Sequence, residues 1–223
     1  MPNVAWVSAW SVGRIIRLRY PIPSFVSDAV LESGRLFHSW SEAHDQGQAP
    51  TPQEAIRPYC EAYKAYTYAL SPSYTQIEYV FDNGEFHGIV DRVGYLRNKL
   101  SVIELKTGGA QKWHGVQLAF YTKALYPTSA LDIQRLGVYL RKNGTYEVRV
   151  YDDVRDYLEM SELLRLATEK ETQHGNPAPS STRHRADQHR GQRVDAHDST
   201  HHTPVLPEGH HGSGPPPDAA EDD

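Results

Sequence analysis

A single α/β domain, with a mixed central sheet flanked by helices and a disordered C-terminal tail, is the fold class this sequence predicts. Three observations predict it. Apolar residues recur at helical spacing over residues 25–70, then change to strand-like runs from Tyr74 to Gly108. A helix-like segment separates those runs from a hairpin turning at Asn143-Gly144. From His174 onward the chain is rich in Pro, Gly, Ser, His and Asp and has almost no apolar residues beyond Pro204-Val205-Leu206-Pro207. Such a segment cannot bury enough surface to offset its ordering entropy. The expected division is therefore a folded domain over 1–173 and a tail over 174–223.

The elements follow in order. Residues 25–45 place Phe25, Ala29, Leu36, Phe37 and Trp40 at helical spacing, with Gly34 as a weak point. Thr51-Pro52-Gln53-Glu54 reads as a capping box with Pro52 at the first helical position. The helix it starts should be kinked or restarted at Pro58 and run to about Leu70, with Tyr59, Tyr63 and Tyr66 on one core-facing stripe. Strands are expected over 74–82, 84–96 and 100–108, and a helix over 112–126. The Asn143-Gly144 hairpin spans 133–152. A last helix runs from about Asp152 to Gln173, opened by paired aspartates, with apolar residues at Val154, Leu158 and Leu163.

Composition narrows the function. Residues 1–173 carry 19 basic and 20 acidic side chains, so net charge gives no argument for nucleic acid. Residues 1–27 contain no acid and include Arg14, Arg17 and Arg19, which suits either a phosphate-facing segment or solvated arginines at a helix end. Trp6 and Trp10 make folded structure a better reading of this segment than a transit peptide. Eight of the twelve histidines lie in the tail, which reads as solvated low-complexity chain. Cys60 is the only cysteine, excluding an intramolecular disulfide, a cysteine zinc site and a cysteine-ligated iron–sulfur cluster. With no long apolar run and no secretory signal, a soluble intracellular protein without membrane association is expected.

Two acids stand where an apolar pattern should continue: Asp91 within Ile89–Val93, and Glu104 within Val102–Lys106. An antiparallel hairpin turning at Arg97-Asn98 would pair Leu96 with Lys99, Val93 with Val102, and Asp91 with Glu104. Opposed carboxylates repel, and apolar neighbours aggravate the repulsion. A shared proton, the nearby Lys106, or a divalent metal with hard oxygen ligands would each compensate, and a buried Asp–Lys–Glu ion network is the purely structural alternative. Gln117 and Tyr121, at i and i+4 of the following helix, share one face near the end of the Glu104 strand.

Taken together, these residues resemble the PD-(D/E)XK nuclease superfamily and its RecB-like branch. The resemblance rests on Gly88-Ile89-Val90-Asp91, on Glu104-Leu105-Lys106-Thr107-Gly108, on Gln117 through Tyr121, on Gly34 through His38, and on Glu78 in the preceding strand. It covers about residues 24–125, and no phosphate-binding Gly-Lys-Ser/Thr loop of a fused helicase is present.

The resemblance implies a restriction-endonuclease-like sheet in a stand-alone, phage-type nuclease without an iron–sulfur cluster. It also implies hydrolysis of DNA phosphodiesters with Mg²⁺ or Mn²⁺, as an exonuclease acting on linear ends in repair or recombination. Asp91, Glu104 and Lys106 would be catalytic. His38, Asp91, Glu104 and the Leu105 carbonyl would bind metal, while Gln117 and Tyr121 would position substrate and Glu78 would act through water. His87 and His114 match no motif position and are treated as ordinary residues. A recombination protein is a conceivable partner, and the cytoplasm of a bacterial or phage-infected cell is the expected location. A non-cleaving DNA- or protein-binding member of the same fold is the alternative, and an RNA-processing enzyme would differ only in substrate.

Overall fold

The computed structural model describes residues 8–21 and 26–173, all within one compact unit. The expected tail over 174–223, Trp6 and Phe25 lie outside the described residues. Five helices, α1 (Val12–Ile16), α2 (Asp28–Asp45), α3 (Arg57–Leu70), α4 (Trp113–Leu125) and α5 (Arg155–Gln173), surround one sheet. Its strands, β1 (Ser73–Asp82), β2 (His87–Leu96), β3 (Lys99–Thr107), β4 (Gln134–Leu140) and β5 (Tyr146–Val150), lie side by side in chain order. All neighbours are antiparallel except β3 and β4, which are parallel because α4 carries the chain back between them.

Both faces of the sheet are covered. Val90, Val93 and Val102 pack with α1, α4 and α5 in one apolar layer. Ile103, Leu105, Leu136 and Val138 pack on the other side with Phe37 and Trp40 of α2 and with Tyr59, Tyr63 and Tyr66 of α3. The tyrosine stripe is thus core. Burial on both faces also explains why β3 and β4 read as nearly continuous apolar runs.

Three local expectations differ from the fold. The Thr51 capping box does not form: a short 3₁₀ turn occupies Glu54–Ile56, and the α-helix proper starts at Arg57. Pro58 explains this restart, because a first-turn residue needs no backbone N–H partner. Helix α2 runs unbroken through Gly34. In α5, Met160, Leu163 and Ala167 are buried, whereas Val154 and Leu158 face solvent. That helix starts only after the Asp153 carboxylate has accepted the Arg155 amide at 2.9 Å.

The β2–β3 register agrees with the hairpin derived above, from Leu96↔Lys99 through Val93↔Val102 to Arg92↔Ile103. Arg97 and Asn98 form the turn with φ of 51° and 63°. Beyond Arg92 the two strands part. Strand β3 continues beside β4, while β2 continues beside β1 and meets Ser11 through an isolated bridge at His87. Asp91 sits at the fork, so it is not the cross-strand partner of Glu104 that a continued ladder would make it. Its Oδ2 instead accepts the Leu105 amide at 2.7 Å, taking the place of a backbone carbonyl. Among the described residues no helix is long and apolar enough to cross a membrane.

Candidate active site

Strand β1 is distorted opposite Asp91. Its registered pairs step from Ile77↔Arg92 to Tyr79↔Val90, passing over Glu78 and Asp91. Glu78 takes φ of +46°, a left-handed conformation that costs a non-glycine residue about 1–2 kcal/mol. Val90 and Val93 both enter the α4-side core although they are three residues apart, so strand alternation also breaks at Asp91-Arg92. The outcome is that Glu78 and Asp91 converge on His38, which α2 supplies. His38 Nδ1 lies 3.6 Å from Glu78 Oε1 and 3.5 Å from Asp91 Oδ1. Ligand atoms of these three residues all fall within 4.8 Å of one another.

What holds these acids together is Arg92, whose side chain is 0% exposed. Its Nε donates to Asp45 Oδ2 at 2.6 Å and its Nη2 to Ser41 Oγ at 2.9 Å, anchoring β2 to α2. Nη1 donates to Glu78 Oε1 at 2.9 Å and to the Asp91 carbonyl at 2.6 Å. Asp45 also accepts the Tyr63 hydroxyl at 2.6 Å, which ties the network to α3. The motif residues do not include Arg92, Asp45 or Ser41. A signal was present: an arginine in a strand covered on both faces must find acids, and Ser41 and Asp45 stand four apart on one helix.

Glu104, 4% exposed, projects from β3 towards α4. Its Oε1 accepts Lys106 Nζ at 2.6 Å and Gln117 Nε2 at 2.8 Å, and Gln117 Nε2 also donates to the Tyr121 hydroxyl at 2.8 Å. Glu104 Oε2 has no partner among the described residues, and neither does Gln117 Oε1. Burial, reinforced by the Asp91 charge, pushes the Glu104 carboxyl up to about 7, against the pull of Lys106. Burial alone would favour neutral His38, but the Asp91 and Glu78 carboxylates outweigh it and raise the imidazole to about 9. Lys106 Nζ also lies over the Trp113 ring, 5.3 Å from its centroid.

His38, Glu78, Asp91, Leu105 and Lys106 thus line one cavity of 830 Å³, with Val30 and Leu31 of α2 exposed at its rim. Glu104, Gln117 and Tyr121 are buried beside it. Gln117 is aimed at Glu104, and the Tyr121 ring packs edge-on against Phe81. Gly88 is explained by the same packing, since a Cβ there would lie 3.0 Å from the Phe81 ring and 3.1 Å from Tyr121 Cε1.

The donor set suits a hard divalent cation. It offers carboxylate oxygens and one imidazole nitrogen, and the buried, unpartnered Glu104 Oε2 is a group that a folded protein tolerates where a cation or water completes it.

A mixed sheet forked at an acidic pocket, with a Glu-x-Lys strand end beside it, defines a nuclease-type α/β domain. The chain belongs to the PD-(D/E)XK nuclease superfamily, whose family model matches residues 27–208. Members of that superfamily use divalent metals, and DNA is the substrate class it implies. Two solved structures are similar to the chain. One is a "Putative exonuclease" from Eubacterium rectale, 10% identical over 73% of this chain and 74% of that one, with a TM-score of 0.45. The other is SSO0001, 16% identical over 73% of this chain and 84% of that one, with a TM-score of 0.34. No curated protein matches the chain.

Proposed function

We propose that this protein is a divalent-metal-dependent deoxyribonuclease of the RecB-like type, an exonuclease working on linear DNA in repair or recombination. The observation that carries the reading is the buried Glu104 Oε2, left without a partner beside a pocket that already gathers His38, Glu78 and Asp91.

Mg²⁺ or Mn²⁺ would be held by Asp91 and Glu104 with His38, Glu78 and the Leu105 carbonyl, and would supply charge neutralisation at the phosphate and an acidified water. Glu104 would serve this site through Oε2, because Lys106 and Gln117 occupy Oε1. Lys106, fixed between Glu104 Oε1 and the Trp113 face, orients the attacking water. Gln117 sets the rotamer of Glu104, and Tyr121 buttresses Gln117. The Leu105 amide holds Asp91, and Arg92 holds Glu78, so the carboxylates are placed before any ion arrives.

Digestion of end-labelled linear and covalently closed circular DNA with Mn²⁺ tests the reading. Loss of the linear substrate with the circle intact is expected. Lys106→Ala should abolish the reaction while leaving Mn²⁺ binding measurable. Wild-type rates from Lys106→Ala would refute the mechanism. Metal binding without cleavage of either substrate would favour a non-cleaving DNA-binding member of the fold.

A further inference from the structure

His114 belongs to none of the motifs. In the fold it is the second residue of α4, is 3% exposed, and lines the same cavity as Asp91, Lys106 and Trp113. Its ring is clamped edge-on against Trp113, with centroids 4.2 Å apart, and stacked on Tyr139 at 5.6 Å. Nδ1 accepts the Gln111 backbone N–H at 3.2 Å and lies 2.8 Å from the Tyr139 hydroxyl, which also contacts the Tyr151 hydroxyl.

A ring nitrogen that accepts a backbone N–H carries no proton of its own, so the neutral imidazole holds its proton on Nε2. Burial, then the charges of Lys106 and Arg149, push the His114 pKa down to about 3, which keeps the ring neutral at physiological pH. Among the described residues both hydrogen bonds of the ring are made through Nδ1. Nε2–H is therefore a donor of fixed direction with no acceptor among the described residues, on a ring that walls the cavity.

We propose that His114 is a substrate-contacting residue whose Nε2–H donates to a non-bridging oxygen of the phosphate bound beside Lys106. The proposal rests on the nuclease reading of this site. An uncharged donor suits the place. A second cation there would compete with the metal for Glu104 and Asp91, whereas a neutral N–H stabilises phosphate charge without doing so. No proton is transferred, and the contact should persist across the pH range in which Glu104 and His38 change charge.

The test compares DNA affinity, measured with Ca²⁺ in place of Mn²⁺, and KM and kcat with Mn²⁺, for three variants. His114→Phe should weaken affinity and raise KM about tenfold, the loss expected for one hydrogen bond to a charged group. His114→Gln should recover most of that loss. Tyr139→Phe removes the hydroxyl behind Nδ1 and spares Nε2–H, so its affinity should stay within about twofold of wild type.

Unchanged affinity in His114→Phe, or an equal loss in Tyr139→Phe, would overturn the proposal in favour of a packing role. Nitrogen-15 histidine spectra of the wild-type protein decide the matter should the Phe variant not fold. They must contain an Nε2–H tautomer that shifts on adding DNA, and its absence or immobility would refute the contact. Wild-type protein that binds DNA with Ca²⁺ yet never cleaves it would defeat the nuclease reading and leave the affinity comparison to judge His114 alone.

Discussion

Replacing Arg92 with Met should cost more stability than any other single change near the site. The guanidinium is fully buried and donates to two carboxylates, Asp45 and Glu78, whose side chains are only 5% and 9% exposed. Methionine fills most of the volume but leaves Asp45 without its arginine and Glu78 with only His38, 3.6 Å away. Breaking a buried pair from one side typically costs about 3–5 kcal/mol. At about 2–4 °C per kcal/mol for a domain of this size, Tm should fall by about 10 °C in metal-free buffer. Saturating Mn²⁺ should return part of that loss, because a cation between Glu78 and Asp91 replaces some of the missing positive charge. Arg92→Lys should fall between wild type and Met, since one ammonium keeps the charge but cannot reach four acceptors. The assay is a thermal melt with and without Mn²⁺. A drop of less than about 3 °C for Arg92→Met would refute the claim that this arginine holds the acids together.

His38 and Glu104 keep protons up to about pH 9 and about pH 7 in the metal-free protein, so an ion must displace them to bind. Mn²⁺ affinity should therefore rise between about pH 6 and pH 9, with proton release visible by calorimetry in buffers of different ionisation enthalpy, and a flat profile would contradict it. The His38 contribution to metal-free stability has the opposite trend, being full below its ordinary value and lost as pH rises through about 9. The two motif glycines should respond with opposite signs in thermal melts. Gly88→Ala crowds Phe81 and Tyr121 and should lose about 1–3 kcal/mol. At Gly34 the nearest atom to an added Cβ is Thr107 Oγ1 at 3.9 Å, so Gly34→Ala should gain up to about 1 kcal/mol of helix propensity.

Much of the fold was legible because it is local. The turn at Arg97-Asn98 sets the β2–β3 register, and Asn143-Gly144, with Gly144 at φ of 76°, sets the β4–β5 register. Apolar spacing located α2 and the tyrosine stripe of α3. The fork between β2 and β3 was not legible, because Asp91 leaves the ladder to bond an amide that a regular strand would give to a carbonyl. Nor was the Glu78 distortion, which depends on Arg92 reaching back across the sheet to α2. Sequence separations of 47 and 51 residues link Arg92 to Asp45 and Ser41, so the strand marks the arginine as needing acids without saying which ones. The His114 tautomer was equally hidden, since it needs the Gln111 turn and the β4 hydroxyl in the same place.

The kink at Glu78 has a use apart from chemistry. Strand β1 is ten residues long and, among the described residues, forms one border of the sheet, the position at which a long regular strand offers a continuous ladder to another chain. A left-handed residue near its middle, and the register shift between Tyr74 and Gln76, break that row into short pieces. The distortion that aims a carboxylate into the pocket thereby also interrupts the outer ladder of the border strand.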